Sequence, residues 1–186
     1  MTETTAGFLV LFYFSVTNMM GGVGSQVWDL VQQWNPSQVY DHENKYQSEL
    51  QEFLDEALNE GGGGMGLGLD MGGGSHAVST ERGTSYGDVV VDDTVGIELK
   101  RNFSNSQKRK LRGQLEDYAE NYDWVIACAC GVEDTDGWRE VEGKFGPNQR
   151  GVMDMTEFRF IIKRRENFGT GNQSSGGGLL GGDGLF

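Results

Sequence analysis

Asp88, Glu98 and Lys100 stand where a short β-ribbon would gather them. Residues 86–101 read YGDVVVDDTVGIELKR, two β-rich runs around Asp92-Asp93-Thr94, a three-residue hairpin loop. With Asp93 at the turn centre, Val91 faces Val95, Val90 faces Gly96, Val89 faces Ile97 and Asp88 faces Glu98. Cross-strand partners have Cβ atoms about 4.5–5.5 Å apart, so two carboxylates meet at the ribbon end away from the turn. Lys100 lies two residues beyond Glu98 and projects from the same face, whereas Ile97 and Leu99 project to the other.

Like charges directly opposite destabilise a bare sheet. Lys100 offsets part of that repulsion, and a divalent cation would offset more. Carboxylate oxygens suit a hard ion, so the expected cofactor is Mg²⁺ or Mn²⁺, with the Leu99 carbonyl as a further ligand. Such an ion acidifies a bound water and neutralises charge on a phosphate. Lys100 would orient that water or meet the pentavalent charge. Taken alone, the three charges fit equally well a solvated sheet face on which Lys100 bridges two acids.

The surrounding elements decide how much weight the triad carries. Residues 41–59 place Tyr46, Leu50, Phe53, Leu54, Ala57 and Leu58 on one helical face, ended by Gly61–Gly64. Residues 76–80 supply a first strand. Residues 104–121 read as a helix with Leu111, Leu115, Tyr118 and Tyr122 as its apolar stripe. DWVIACACGV (123–132) is a continuous apolar run, as expected of a strand covered on both faces, and FRFII (158–162) is a further strand. Residues 138–145 fit either element type. The order α-β-β-β-α-β predicts an α/β fold with a mixed sheet of four to five strands flanked by helices.

Gly87-Asp88, nine residues, then Glu98-Leu99-Lys100 resembles the PD-(D/E)XK nuclease signature. Gln114 and Tyr118 in the following helix resemble the QxxxY motif of RecB-like and lambda-exonuclease-like members. The resemblance spans about residues 40–132. It implies a restriction-endonuclease-like core and a Mg²⁺-dependent deoxyribonuclease, with endo- and exonucleolytic cleavage both open. By resemblance, Asp88 and Glu98 hold metal, Lys100 is catalytic, and Gln114 and Tyr118 sit beside the site and the DNA backbone. Many members add an acid from the first helix, for which Glu49 is the first candidate and Glu52 the second. Gly87 replaces the nominal Pro of the signature, the Gly-rich insert before the first strand is unusual, and neither His42 nor His76 matches the upstream His of some members.

Charge patterning agrees with DNA as a partner. The chain carries −13, yet residues 100–112 carry six bases and no acid. Lys108, Arg109, Lys110 and Arg112 therefore read as phosphate contacts, the usual source of sequence-independent DNA affinity. The bland reading is a solvated helix face. An acidic chain with only six Lys resembles an adaptation to high salt, as in a halophilic archaeon or its virus, where the Debye length falls to about 3 Å.

Three segments stand apart. Residues 1–28 form a hydrophobic N-terminal segment in which 6–24 are uncharged and long enough to span a bilayer, with Trp28 and Trp34 following as interfacial aromatics. A helix packed on the domain is the competing expectation. The domain itself is expected over 40–168, with a flexible Gly-rich insert at 61–74 and a disordered Gly-rich tail at 169–186. Two Cys exclude a disulfide-stapled scaffold, and Cys128 and Cys130 read as small core side chains. Lys163-Arg164-Arg165 reads as a surface charge run in preference to a contact with nucleic acid or anionic lipid. The competing function is a non-catalytic, membrane-associated structural or DNA-binding protein that keeps the nuclease-like fold. Oligomeric state is open.

Overall fold

The described residues of the chain, in a computed structural model, are 22–59, 75–80, 88–146 and 155–170. Two helices come first, α1 (Gly22–Gln33) and α2 (Glu43–Asn59). They are followed by β1 (Val78–Thr80), β2 (Val89–Val91), β3 (Val95–Phe103), α3 (Asn105–Ala119), β4 (Trp124–Val132), α4 (Thr135–Phe145) and β5 (Glu157–Lys163). A short 3₁₀ turn, Arg165–Asn167, follows β5. The five strands form one sheet in the order β1-β2-β3-β4-β5. β1, β2 and β3 are antiparallel neighbours, and β3, β4 and β5 run parallel. The chain is thus an α/β protein with a five-stranded mixed sheet flanked by helices, and the ambiguous stretch at 138–145 is helical.

β4 explains the layering. Its interior positions are all buried because helices cover both of its faces. Ile126, Cys128 and Cys130 join a core with Val27, Val31, Trp34, Tyr46, Leu50 and Leu54 from the α1–α2 side. Val125, Ala127 and Ala129 join the other core with Leu111, Leu115, Tyr118, Trp138 and Val141 from α3 and α4. Burying a Leu- or Val-sized side chain contributes about 1.5–3 kcal/mol, so the two apolar stripes specify which face each helix takes.

α1 belongs to this body. Val27 and Val31 are fully buried, and Trp34 just beyond the helix is too. Trp28 packs against the same core. Of these two tryptophans, expected at a membrane interface, Trp34 is a core residue and Trp28 is half-buried against the same core. Among the described residues no helix is long and apolar enough to cross a membrane. Residues 1–21, the insert at 61–74 and the tail from 171 lie outside the described residues, as does Gly87.

The β2–β3 hairpin has the expected register, with Val89↔Ile97, Val90↔Gly96 and Val91↔Val95. Asp92 and Asp93 both take left-handed backbone (φ 52° and 51°), a conformation Asp tolerates better than most side chains, and Thr94 N–H closes the turn on the Val91 carbonyl at 3.0 Å. The Asp92 carboxylate ties the turn to β1 by accepting from Ala77 N–H at 2.8 Å and by pairing with His76 Nδ1 at 2.6 Å. Burial alone would raise Asp92, but His76 and the Ala77 amide hold it below its ordinary value. His76 is thereby committed to the turn.

Candidate active site

Pairing between β2 and β3 reaches only Val89↔Ile97, and Asp88 bends away from strand geometry. β3 continues to Phe103, leaving a notch along its edge. Two carboxylates meet the β3 amides in that notch. Asp88 Oδ2 accepts from Leu99 N–H at 2.7 Å, and Glu43 Oε2 accepts from Arg101 N–H at 2.8 Å. Glu43 begins α2, which packs on the far face of the sheet, so its side chain reaches around the open edge of β3.

Glu98 and Lys100 alternate with Ile97 and Leu99 and share the face that α3 covers, as the hairpin register requires. Glu98 is fully buried and Lys100 is 2% exposed. The Lys100 ammonium donates to Glu98 Oε1 and to the Leu99 carbonyl at 3.0 Å, and lies 3.6 Å from Glu43 Oε1. The second oxygen of Glu98 accepts from the Tyr118 hydroxyl of α3. Tyr118 is held in place in turn: its ring meets Tyr122 edge-on with centroids 5.8 Å apart. Tyr122 lies over Gly96, where a Cβ would stand 2.4 Å from the Tyr122 ring. Gly96 is thus required by a close approach that positions the α3 end bearing Tyr118.

The electrostatics follow from burial. Asp88 is pushed up to about 7, first by burial and then by the neighbouring Glu98 carboxylate. Burial also raises Glu98, against the opposing pull of Lys100 and Tyr118. Burial alone would lower the Lys100 ammonium, but Glu98 and Glu43 reverse that and hold it above its ordinary value. Ionised, Glu43, Asp88 and Glu98 against one ammonium leave a net charge of −2 in a poorly hydrated notch.

Asp88, Glu98, Lys100, the Leu99 carbonyl and Tyr118 therefore converge. Gln114 lies one helical turn before Tyr118, and its Oε1 is buried with no hydrogen-bond partner among the described residues. Glu49, expected to supply the helix acid, does not join them. Its carboxylate accepts from Ser37 N–H at 2.7 Å, from Ser37 Oγ at 3.0 Å and from the Tyr40 hydroxyl at 2.6 Å, pinning the α1–α2 loop. Glu52 is exposed. The helix acid at the notch is Glu43, six residues earlier. A rotation of 100° per residue puts Glu43 and Glu49 on different helix faces, about 9 Å apart along the axis.

The basic run divides in the same way. Lys108 reaches Glu140 of α4 at 2.7 Å, and Arg112 lies 3.7 Å from the same carboxylate. Lys144 of α4 pairs with Glu116 of α3. Lys108 and Arg112 thus face the α3–α4 groove. Arg109 lines the same groove, and Lys110 is exposed.

Among the described residues no group of three His, Cys, Asp or Glu side chains is arranged to hold a metal ion, because the carboxylates are turned onto β3 amides, Tyr118 and Lys100. The donor set nevertheless suits a divalent cation: three carboxylates and a carbonyl, all hard oxygens, with negative charge in excess. No family model, curated protein or solved structure matches the chain.

Proposed function

We propose that the chain is a metal-dependent deoxyribonuclease with a restriction-endonuclease-like core of the PD-(D/E)XK type. The observation that carries this is the gathering of Asp88, Glu98, Lys100 and Glu43 where β2 leaves β3. A purely structural sheet face would leave such charges in water, since unpaired buried charge costs several kcal/mol per ion. The element order and the Gln114–Tyr118 spacing support the same assignment.

Asp88, Glu98 and the Leu99 carbonyl would hold Mg²⁺ or Mn²⁺, with Glu43 as the helix acid. The bound ion supplies an acidified water and neutralises charge on the scissile phosphate. Lys100 orients the attacking water and balances negative charge developing on the phosphate. Tyr118 holds Glu98 in one rotamer through its second oxygen. Arg109 and Lys110 meet the DNA backbone. The −13 net charge suits a high-salt interior.

A second function is favoured by one specific observation. Asp88 and Glu43 each terminate an amide of the open β3 edge, which is also how a sheet protects itself from edge pairing. A non-catalytic, membrane-associated structural or DNA-binding protein would need no more. DNA cleavage in molar salt, with and without Mg²⁺, separates the two. The nuclease cleaves only with metal, loses at least about 10²-fold in rate in Asp88→Ala and in Glu43→Gln, and keeps its rate in Glu49→Gln. A chain that never cleaves, or whose Asp88→Ala variant cuts as well as the parent, is the scaffold.

A further inference from the structure

The position of Lys100 has a consequence for how a metal could enter. Its ammonium is in contact with Glu98 Oε1, lies 3.0 Å from the Leu99 carbonyl and stands 3.6 Å from Glu43 Oε1. These oxygens belong to three of the residues that would ligate a divalent ion. They come from a neighbouring strand position, a main-chain carbonyl and a separate helix, so one point in space collects all three.

We propose that the Lys100 side chain is a built-in occupant of the cation position, and that its ammonium must swing out before a divalent ion can bind. The inference rests on the nuclease assignment and adds a gate to it. The physical reason is that two cations cannot share the same few oxygens. Like charges within about 4 Å of one another repel strongly in a partly buried site, and a divalent ion doubles the repulsion. Lys100 is 2% exposed and held by two carboxylates and the Leu99 carbonyl, so in the absence of metal it neutralises part of the excess charge and keeps the notch closed. Divalent metal releases it, and the same ammonium becomes available to the water and the phosphate. Lys100 thus has a resting position and a working position, and metal selects between them.

Two measurements on the full chain with Mg²⁺ alone, without DNA, test the gate. In the first, an amine-acylating reagent is applied across a Mg²⁺ titration and modification is read by peptide mass spectrometry. Lys100 is expected to be protected without metal and to become reactive as Mg²⁺ saturates. Lys163, buried elsewhere at 3% exposure, stays protected throughout as the internal reference. In the second, calorimetry compares Mg²⁺ binding to the parent and to Lys100→Met, with Lys100→Gln as the variant that keeps a polar head. Loss of the competing ammonium is expected to tighten binding by about tenfold. Mg²⁺ binding to the parent with Lys100 still protected, or binding to both variants no tighter than to the parent, overturns the gate and leaves the nuclease assignment standing. Absence of Mg²⁺ binding to parent and variants alike overturns the nuclease assignment and the gate with it. The acylation measurement needs no variant, so misfolding of either substitution does not remove the test.

Discussion

Lys100 on β3 and Lys163 on β5 are buried to nearly the same depth, 2% and 3% exposed, and their surroundings drive them in opposite directions. Burial lowers both ammoniums. Around Lys100, Glu98 and Glu43 reverse the effect and the group ends above its ordinary value. Around Lys163 no carboxylate pairs with the ammonium among the described residues. Its Nζ donates to the Gln32 carbonyl at 2.9 Å, in the last turn of α1, and its sheet neighbour is Cys130. The Cys130 thiol is itself pushed up by its hydrogen bond with Cys128 and by burial, so it stays neutral and contributes no compensating charge. Lys163 is therefore held below its ordinary value.

The contrast shows that a buried ammonium is not in itself a mark of chemistry. Lys163 tethers a helix end, where a cation complements the C-terminal carbonyls. Lys100 sits among more carboxylates than it can neutralise, with two of them also bound to strand amides. The raised Asp88 carboxyl relieves part of that surplus, and the crowding of carboxylates around one ammonium separates the notch from the α1 tether.

The largest expected effect that tests this contrast is on cleavage. Lys100→Met should lower Mg²⁺-dependent DNA cleavage by at least about 10²-fold, whereas Lys163→Met should stay within about twofold of the parent. Equal losses in the two variants would erase the distinction. A smaller effect concerns the support of Glu98. Tyr118→Phe removes the hydroxyl that satisfies Glu98 Oε2, and urea titration should find a loss of about 1–3 kcal/mol. A loss under about 0.5 kcal/mol would mean that Glu98 does not depend on that bond. The smallest effect is the pH dependence set by Lys163. Its folded pKa lies below the unfolded 10.5, so between the two values the unfolded chain binds more protons and stability rises with pH. The contribution is missing below the folded pKa and complete above 10.5. Lys163→Met should flatten that part of the stability profile, and an unchanged slope would assign it to other groups.

Much of the site was legible because it is local. The two Asp at the β2–β3 turn and the run of Val around them specify a register, and the register alone puts Glu98 and Lys100 on one face with Asp88 at its end. The α3 stripe placed Tyr118 inward, and the unbroken apolar run of β4 announced a strand with helices on both sides. These patterns depend on periods of two and 3.6 residues and on turn backbone, all readable from neighbouring residues. Glu43 was not legible in this way. It and Glu49 are both acids on one amphipathic helix, and only the position of α2 against the open edge of β3 shows which one arrives there. The same holds for Lys108 and Arg112, whose partner Glu140 comes from another helix, and for Trp34, whose burial requires α1 to lie on the sheet.

The sequence by itself determined the run of elements from the Glu43 helix through the 124–132 strand, the hairpin register and the three charges that share its end, since each follows from steric and hydrophobic preferences acting over a few residues. Only the tertiary structure decided which distant acid completes the notch, where the basic side chains find their partners, and which of two buried lysines lies among carboxylates. Those outcomes depend on how far one element slides and rotates on another, a relation between segments that no local spacing contains.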